Sequence, residues 1–154
     1  MVTKVRGAFL DFAGTAVLDA HNVGDTKVDL TIQVASVSTG NEQRDGHLRT
    51  NDFFDAANHP TIHFTATGAE QVDADTFRLT GDLTIKGITN PVSVDFEFTG
   101  LSTDPYGNQR AGFEGHTAIN RKDWGVNFNA ALETGGVLVS EKIALEFDLS
   151  VIKV

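Results

Sequence analysis

The 154-residue sequence contains no cysteine. Disulfides, thiolate nucleophiles and cysteine-ligated zinc or iron–sulfur clusters are therefore excluded, and the redox state of the compartment stays open. No apolar run approaches the roughly 18 residues needed to span a bilayer, so we predict no stable membrane insertion. The N-terminus carries two cations without the apolar segment of a signal peptide. We expect a cytoplasmic protein as written, and a periplasmic or extracellular one if a native N-terminal segment is missing.

Positive charge is also scarce, with 12 Lys and Arg against 21 Asp and Glu and a formal net charge of −9. This balance argues against nucleic acid and anionic membrane faces as main partners. Proline occurs only 3 times, whereas Gly occurs 15 times and Phe 11 times. Such a composition indicates a sheet protein with tight turns, and the length indicates a single domain over residues 1–154.

Alternation of polar and apolar residues runs through most of the chain. In residues 27–34 the apolar side chains occupy every second position, which is typical of a strand with one buried face. The same pattern occurs in residues 61–66, 77–80, 83–86, 92–99 and 142–151, and more weakly in 7–18 and 110–119. Glycines interrupt the two weaker segments at Gly14, Gly112 and Gly115, where we expect bulges or bends. Short loops at residues 72–76, 86–91 and 104–108 indicate an antiparallel meander.

One segment, near residues 41–56, breaks the alternation and predicts a short helical insertion. We expect a helix from Asn41 to Leu48 and a second turn with Asn51 as its N-cap. Pro60 then ends the helical stretch. About eight antiparallel strands must hide their edges, either in a sandwich or in a closed barrel. Periodicity alone favours neither.

Signals for chemistry are weak. His59 and His63 have the spacing of a helical zinc pair, but Pro60 makes that helix improbable, and on a strand they would lie about 13 Å apart. The carboxylates are spread over the solvent side of the predicted strands, and we find no catalytic motif. We therefore predict no catalytic residue, no metal site and no cofactor.

Two features leave alternatives open. Arg44, His47 and Arg49 lie close together in the helical insertion, either on a solvated helix face or at a polar mouth that binds an anionic or amide head group. Trp124, the only Trp, either plugs the core or lines a cavity.

Three longer motifs resemble the YceI-like family of lipid-binding proteins. They are residues 38–64 (STGNEQRDGHLRTNDFFDAANHPTIHF), residues 79–92 (LTGDLTIKGITNPV), and residues 119–129 (INRKDWGVNFN) followed by residues 135–140 (GGVLVS). The resemblance implies an extended eight-stranded antiparallel barrel, similar to the lipocalin fold. It further implies an apolar tunnel that binds a polyisoprenoid, a quinone or a fatty-acid-like lipid without catalysis, so that the expected partner is a long-chain lipid.

The inward positions of the strands supply the candidates for the tunnel lining. They are Leu30, Ile32, Ile62, Phe64, Phe77, Leu79, Leu83, Ile85, Phe96, Phe98, Phe113, Phe147 and Leu149, and we add Trp124. Arg44, His47 and Arg49 are the candidates for the head group. Alternation does not separate side chains that contact a ligand from those that only pack.

One departure from the family pattern concerns the start of the chain. Members usually carry an earlier opening strand, so we expect a barrel that is open or lacks its first strand. Exposed edges of this kind would favour pairing between two copies in a homodimer. Two alternatives to a lipid carrier stay open: a structural or assembly module whose core is filled by its own side chains, and an enzyme acting on a lipid head group.

Overall fold

The structure is a computed structural model, and it describes residues 4–19, 21–130 and 139–153. The start of the chain, residues 1–3, and part of the third family motif, residues 135–138, lie outside these ranges. Nine strands are described: Ala8–Phe9 (β1), Phe12–Val17 (β2), Lys27–Gln33 (β3), Val37–Ser38 (β4), Thr61–Gln71 (β5), Thr76–Ile85 (β6), Ile88–Thr103 (β7), Gln109–Asn120 (β8) and Lys142–Ile152 (β9). One α-helix, Glu42–Leu48 (α1), and three short 3₁₀ turns, Val23–Asp25, Val34–Ser36 and Arg121–Trp124, complete the fold.

Seven strands form one antiparallel sheet in the order β2-β3-β5-β6-β7-β8-β9. The short strands β1 and β4 pair separately. Among the described residues no ladder joins β2 to β9, so the sheet curls without closing. The predicted antiparallel barrel-type fold is confirmed, in its open form and with seven strands in the main sheet.

All apolar rows of the sheet share one face, which we call the inner face. Leu30 pairs with Phe64 and Phe64 with Leu83, and Leu79 pairs with Val94 further along the same face. The alternate positions on β9, such as Glu146 and Asp148, are exposed on the outer face. The alternation read from the sequence therefore corresponds to the inside and outside of this curled sheet.

Of the three glycines where we expected bulges or bends, Gly112 alone lies at a register shift of the described sheet. Register shifts occur between Ala66 and Gly68 on β5 and between Phe98 and Gly100 on β7. Gly14 and Gly115 lie in regular pairs, so the prediction of a bulge was wrong at these two positions. Gly112 lies at the second shift, because it pairs with Gly100 while the next residue, Phe113, pairs with Phe98 and leaves Thr99 as the extra residue of β7. For Gly115 the reason is steric, because an aromatic ring occupies the space where its side chain would be.

Two local predictions also change. The loop predicted over residues 86–91 is a two-residue turn, Lys86–Gly87, with φ of 52° and 78°. Positive φ at both positions is the requirement of a type I′ hairpin, which allows β7 to resume at Ile88. The second helical turn after Asn51 is instead a series of hydrogen-bonded turns, in which Phe54 N–H donates to Leu48 O.

Candidate functional site

The inner face divides into two ends that differ in packing. At the end that carries α1, predicted lining residues pack into one core with Val34, Phe53 and Val126. The buried members of the predicted lining are Ile62, Phe64, Leu79, Leu83, Ile85 and Trp124, with Leu30 and Ile32 packed partly against them. These side chains contact one another, so this end of the inner face is filled.

The other end of the inner face keeps its apolar side chains only partly buried, although one of them, Phe96, also packs against the core. We call this set the open apolar face: Phe77, Phe96, Phe98, Phe113, Phe147 and Leu149. The register aligns Phe77 with Phe96 across β6 and β7, and it aligns Phe113 with Leu149 across β8 and β9. This end therefore presents a continuous apolar surface over four strands.

Aromatic contacts give the open apolar face a defined surface. The ring centroids of Phe96 and Phe147 are 5.7 Å apart, with 53° between the ring planes. Those of Phe98 and Phe113 are 5.6 Å apart, at 52°. Both pairs lie in the range where aromatic rings attract each other. The rings hold one another in place while their outer surfaces stay accessible.

The open apolar face also includes residues that the sequence analysis did not select. Val151 pairs with Ala111, which pairs with Leu101, and this row continues the inner face past Leu149. The alternation in β9 already indicated Val151, because it extends the same periodicity. Leu101 was hidden by the register shift between Phe98 and Gly100, which changes the parity of the positions that follow it.

Trp124 lies at the packed end, in the 3₁₀ turn Arg121–Trp124. Its side chain is 3% exposed, and its indole N–H donates to Leu83 O at 2.9 Å. Gly125 ends the turn with a φ of 72°, a left-handed conformation that glycine adopts readily. Of the two roles considered for Trp124, this geometry favours the core plug.

Helix α1 holds the predicted head-group residues. It begins as expected at Asn41, whose side chain accepts a hydrogen bond from Arg44 N–H. The guanidinium of Arg44 donates to Thr39 Oγ1 and Thr39 O, both at 2.8 Å. The guanidinium of Arg49 donates to the carbonyls of Ala35 and Val37, at 3.1 and 3.3 Å. Both arginines therefore attach the helix to the segment that precedes it, residues 35–39.

His47 has a different environment. Its Nε2 lies 2.8 Å from Asp52 Oδ2, and its ring packs edge-on against Phe53 and Phe128. Together with Arg44 it borders a surface depression of about 340 Å³. Arg49 does not border that depression. The structure thus brings together two of the three predicted head-group residues.

This polar cluster is remote from the open apolar face. Helix α1 lies where β5 begins and β6 ends, since its Leu48 packs against the core that contains Ile62 of β5 and Ile85 of β6. The open apolar face lies toward the β5–β6 and β7–β8 hairpins at the opposite end of the strands. A lipid bound there would reach the α1 cluster only by extending through the packed end.

A buried arginine was not predicted from the sequence. Arg121 is 5% exposed, and its guanidinium donates to Val126 O at 2.6 Å, Ser140 O at 2.8 Å and Val139 O at 3.3 Å. It connects the end of the 3₁₀ turn to the segment that leads into β9. Its neighbours Asn120 and Lys122 are polar and exposed, so the local sequence contains no signal that Arg121 is buried.

Strands β7 and β8 separate toward the packed end. Their ladder ends at Asp95 and His116, and Thr117 Oγ1 donates to Ser93 O in place of a ladder bond. A second depression of about 340 Å³ lies in this gap, bordered by Asn120 and Asp123 among others. Its lining mixes polar side chains with apolar ones such as Val92 and Ile119, in contrast to the open apolar face.

Two further kinds of feature are absent from the described part of the chain. Within residues 4–19, 21–130 and 139–153, no three His, Asp or Glu side chains group as metal ligands. Across the same residues, no helix has the length and apolar character that crossing a bilayer requires.

Comparison with known proteins identifies the family. The model of the YceI-like domain matches residues 1–151. The chain belongs to the YceI-like family. A UPF0312 protein of Azotobacter vinelandii is 42% identical over 78% of this chain, and the match spans only 62% of that relative's length. A UPF0312 protein of Staphylococcus aureus is 40% identical over 95% of this chain and 83% of its own length.

Solved structures agree with this membership of the YceI-like family. The YCEI protein of Campylobacter jejuni superposes with a TM-score of 0.82 at 29% identity, covering 99% of this chain and 87% of that one. A polyisoprenoid-binding domain from Saccharophagus degradans superposes with a TM-score of 0.60 at 14% identity, covering 90% and 91%. At that identity, the second comparison shows a shared fold alone.

Proposed function

We propose that this YceI-like domain binds a long-chain isoprenoid, or a similar amphiphilic lipid, on the open apolar face and sequesters or transports it. The observation that carries the proposal is the partly exposed aromatic row from Phe77 to Phe147 beside a filled core. Contiguous accessible apolar surface of this kind marks binding sites in soluble proteins. A methyl-branched chain laid across the row would cover it.

The length of the ligand follows from the size of the hydrophobic effect. Burying one methylene contributes about 0.8 kcal/mol, so a chain of about 20 carbons gives roughly 16 kcal/mol before losses. Association itself costs about 4 to 15 kcal/mol. A short chain would not exceed that cost by much, whereas a long one would. Long amphiphiles are therefore the favoured class.

The family comparison supports the same ligand class. The Saccharophagus degradans relative in fold is a polyisoprenoid-binding domain, and the fold common to both provides one curled sheet with an apolar inside. The proposal for this chain depends on its own open apolar face, because a shared fold alone does not specify a ligand.

The open apolar face favours reversible ligand binding over catalysis. The charged side chains of β6–β9 alternate to the outer face, where Arg78 Nε lies 2.8 Å from Asp95 Oδ1 and Arg78 Nη1 lies 3.3 Å from Glu70 Oε1. General acid–base chemistry needs ionisable groups that converge on the substrate. The open apolar face is built from phenylalanine and leucine, which supply none.

The direct experiment is denaturing mass spectrometry of lipid extracted from the purified protein. We expect a stoichiometric long-chain amphiphile. Binding is then measured with two probes, an isoprenoid diphosphate and a quinone with a polyisoprenoid tail. Absence of a copurified lipid together with no binding of either probe would refute the proposal and favour a structural module. Release of a chemically altered head group would favour an enzyme.

Substitution locates the site. Phe98→Ser and Phe147→Ser are expected to weaken probe binding at least tenfold, since each removes apolar contact from the open apolar face. Phe12→Ser is the control, because Phe12 is exposed on β2 at the opposite edge of the sheet. Urea unfolding of each variant separates lost affinity from lost folding. An equal loss in the control would contradict this location.

A further inference from the structure

Four of the ten exposed large apolar side chains of the described residues, including the two most exposed, lie at the end of the sheet where its long hairpins turn. Leu101 is 79% exposed and Tyr106 is 89% exposed, both in or beside the β7–β8 hairpin. Val72 at the β5–β6 hairpin and Ile152 near the end of β9 are also exposed. We call these four residues the apolar rim. Single exposed apolar residues are ordinary, but a group at one end of a fold indicates an interaction surface.

Hydrogen bonds place the two hairpins of the apolar rim at the same end. Phe98 N–H donates to Asp75 O at 2.8 Å, which joins the β5–β6 loop to β7. Lys153 N–H donates to Gln109 O at 2.9 Å, which joins the end of β9 to the start of β8. Leu101 is also the outermost member of the row through Ala111 and Val151. The apolar rim is thus continuous with the open apolar face.

The charges at this end determine which surface the apolar rim suits. Asp73 and Asp75 lie in the β5–β6 loop, and Asp104 in the β7–β8 turn holds Arg110, with Arg110 Nε 2.8 Å from Asp104 Oδ2. Asp104 thus neutralises Arg110. Lys153 also lies at this end, but Asp73 and Asp75 outnumber it, so this end has no excess of positive charge. Anionic lipid would be repelled by the remaining carboxylates and by the net charge of −9. A neutral, zwitterionic surface carries no such penalty.

We propose that the apolar rim docks on the surface of a zwitterionic lipid bilayer, with Leu101 and Tyr106 inserted at its interface. Tyrosine suits this position because its ring is apolar and its hydroxyl stays hydrated. The four side chains of the apolar rim do not make the roughly 800 Å² per partner of a stable protein interface, which argues against a second copy. The inference rests on the proposed function, since docking would place the open apolar face beside its lipid source.

The test is flotation with phosphatidylcholine vesicles in the absence of added ligand. We expect the protein to float with the vesicles, and Leu101→Ser combined with Tyr106→Ser to reduce the bound fraction at least fivefold. The control is Leu10→Ser: Leu10 is similarly exposed, at 73%, but its N–H donates to Ser36 O at the opposite end of the sheet. Leu10→Ser is expected to bind as the unmodified protein does.

Three results would overturn docking: no flotation of the unmodified protein, an equal loss in Leu10→Ser, or binding strengthened by phosphatidylserine. A concentration-dependent dimer that the rim substitutions abolish, without any vesicle binding, would also overturn it in favour of a second copy. The lipid extraction and the two probes of the proposed function separate the two proposals. Vesicle binding with no copurified lipid and no binding of either probe would keep docking and refute the proposed function, whereas probe binding without flotation would do the reverse.

Discussion

The ring of Phe96 lies over Gly115, the residue that faces it on the neighbouring strand. A β-carbon at Gly115 would come within 2.6 Å of Phe96 Cε1 and 2.7 Å of Cδ1. Real carbon atoms do not approach so closely, so the position accepts only glycine while the ring keeps its place. Phe64 covers Gly81 in the same way on β5 and β6. At both positions, the absence of a side chain on glycine leaves room for an aromatic ring on the inner face of the sheet.

The first prediction tests whether glycine at position 115 is needed to make room for the ring of Phe96. Gly115→Ala is expected to reduce the free energy of unfolding by about 1 to 3 kcal/mol, the usual range for overpacking. Gly68→Ala is the matched control, because a β-carbon there meets nothing within 4 Å. Urea unfolding measures both. In a Phe96→Ala background the Gly115→Ala loss should shrink, and an undiminished loss would show that the ring is not its cause.

The second prediction concerns the role of Trp124. Trp124→Phe removes the hydrogen bond to Leu83 O and part of the core filling, so we expect a loss of about 1 to 3 kcal/mol in unfolding free energy. Probe affinity should change less than twofold, because the open apolar face lies at the other end. Circular dichroism follows the unfolding, since the variant lacks its fluorophore. Unchanged stability with a large loss of affinity would instead place Trp124 in the ligand site.

The sequence predicted the strands well because alternation reports directly which side chains share a face. It also predicted the start of α1, since an asparagine before a polar segment is a strong N-cap signal. Alternation does not, however, predict how deeply a side chain on the inner face is buried. Phe64 and Phe98 have the same alternating context, yet the first is buried and the second half-exposed, because α1 and the turn holding Trp124 pack only against one end.

Glycine and charge were the other sources of error. Gly115 leaves room for an aromatic ring, whereas Gly68 follows a register shift. The residues next to each glycine in the sequence do not distinguish these two roles. Arg121 is buried because three backbone carbonyls converge on it. Two of those carbonyls, from Val139 and Ser140, lie far along the chain, so local sequence could not reveal the burial.

The third prediction follows from that burial. Arg121→Met would leave the carbonyls of Val126, Val139 and Ser140 without their donors, and we expect a loss of about 3 kcal/mol in unfolding free energy. Lys122→Met is the neighbouring control. Its ammonium lies 2.8 Å from Glu141 Oε1, but both side chains are about half-exposed, and such pairs contribute about 0 to 1 kcal/mol. Equal losses in the two variants would show that the three hydrogen bonds of the Arg121 guanidinium do not stabilise the fold more than an exposed ion pair does.

The last prediction is a pH dependence at the apolar rim. The backbone N–H of Asn108 is the main cause that lowers the pKa of Asp104 to about 2, and the Arg110 guanidinium adds to it. Since the folded pKa lies below the ordinary 3.8, the ionised carboxylate stabilises the fold fully above about pH 4, and this contribution is lost as the pH falls toward 2. Asp104→Asn resembles the protonated acid at every pH. In urea titrations we therefore expect the variant to be less stable at pH 7 and the difference to shrink between pH 4 and pH 2. A difference that stays constant over that interval would show that Asp104 does not act through its charge.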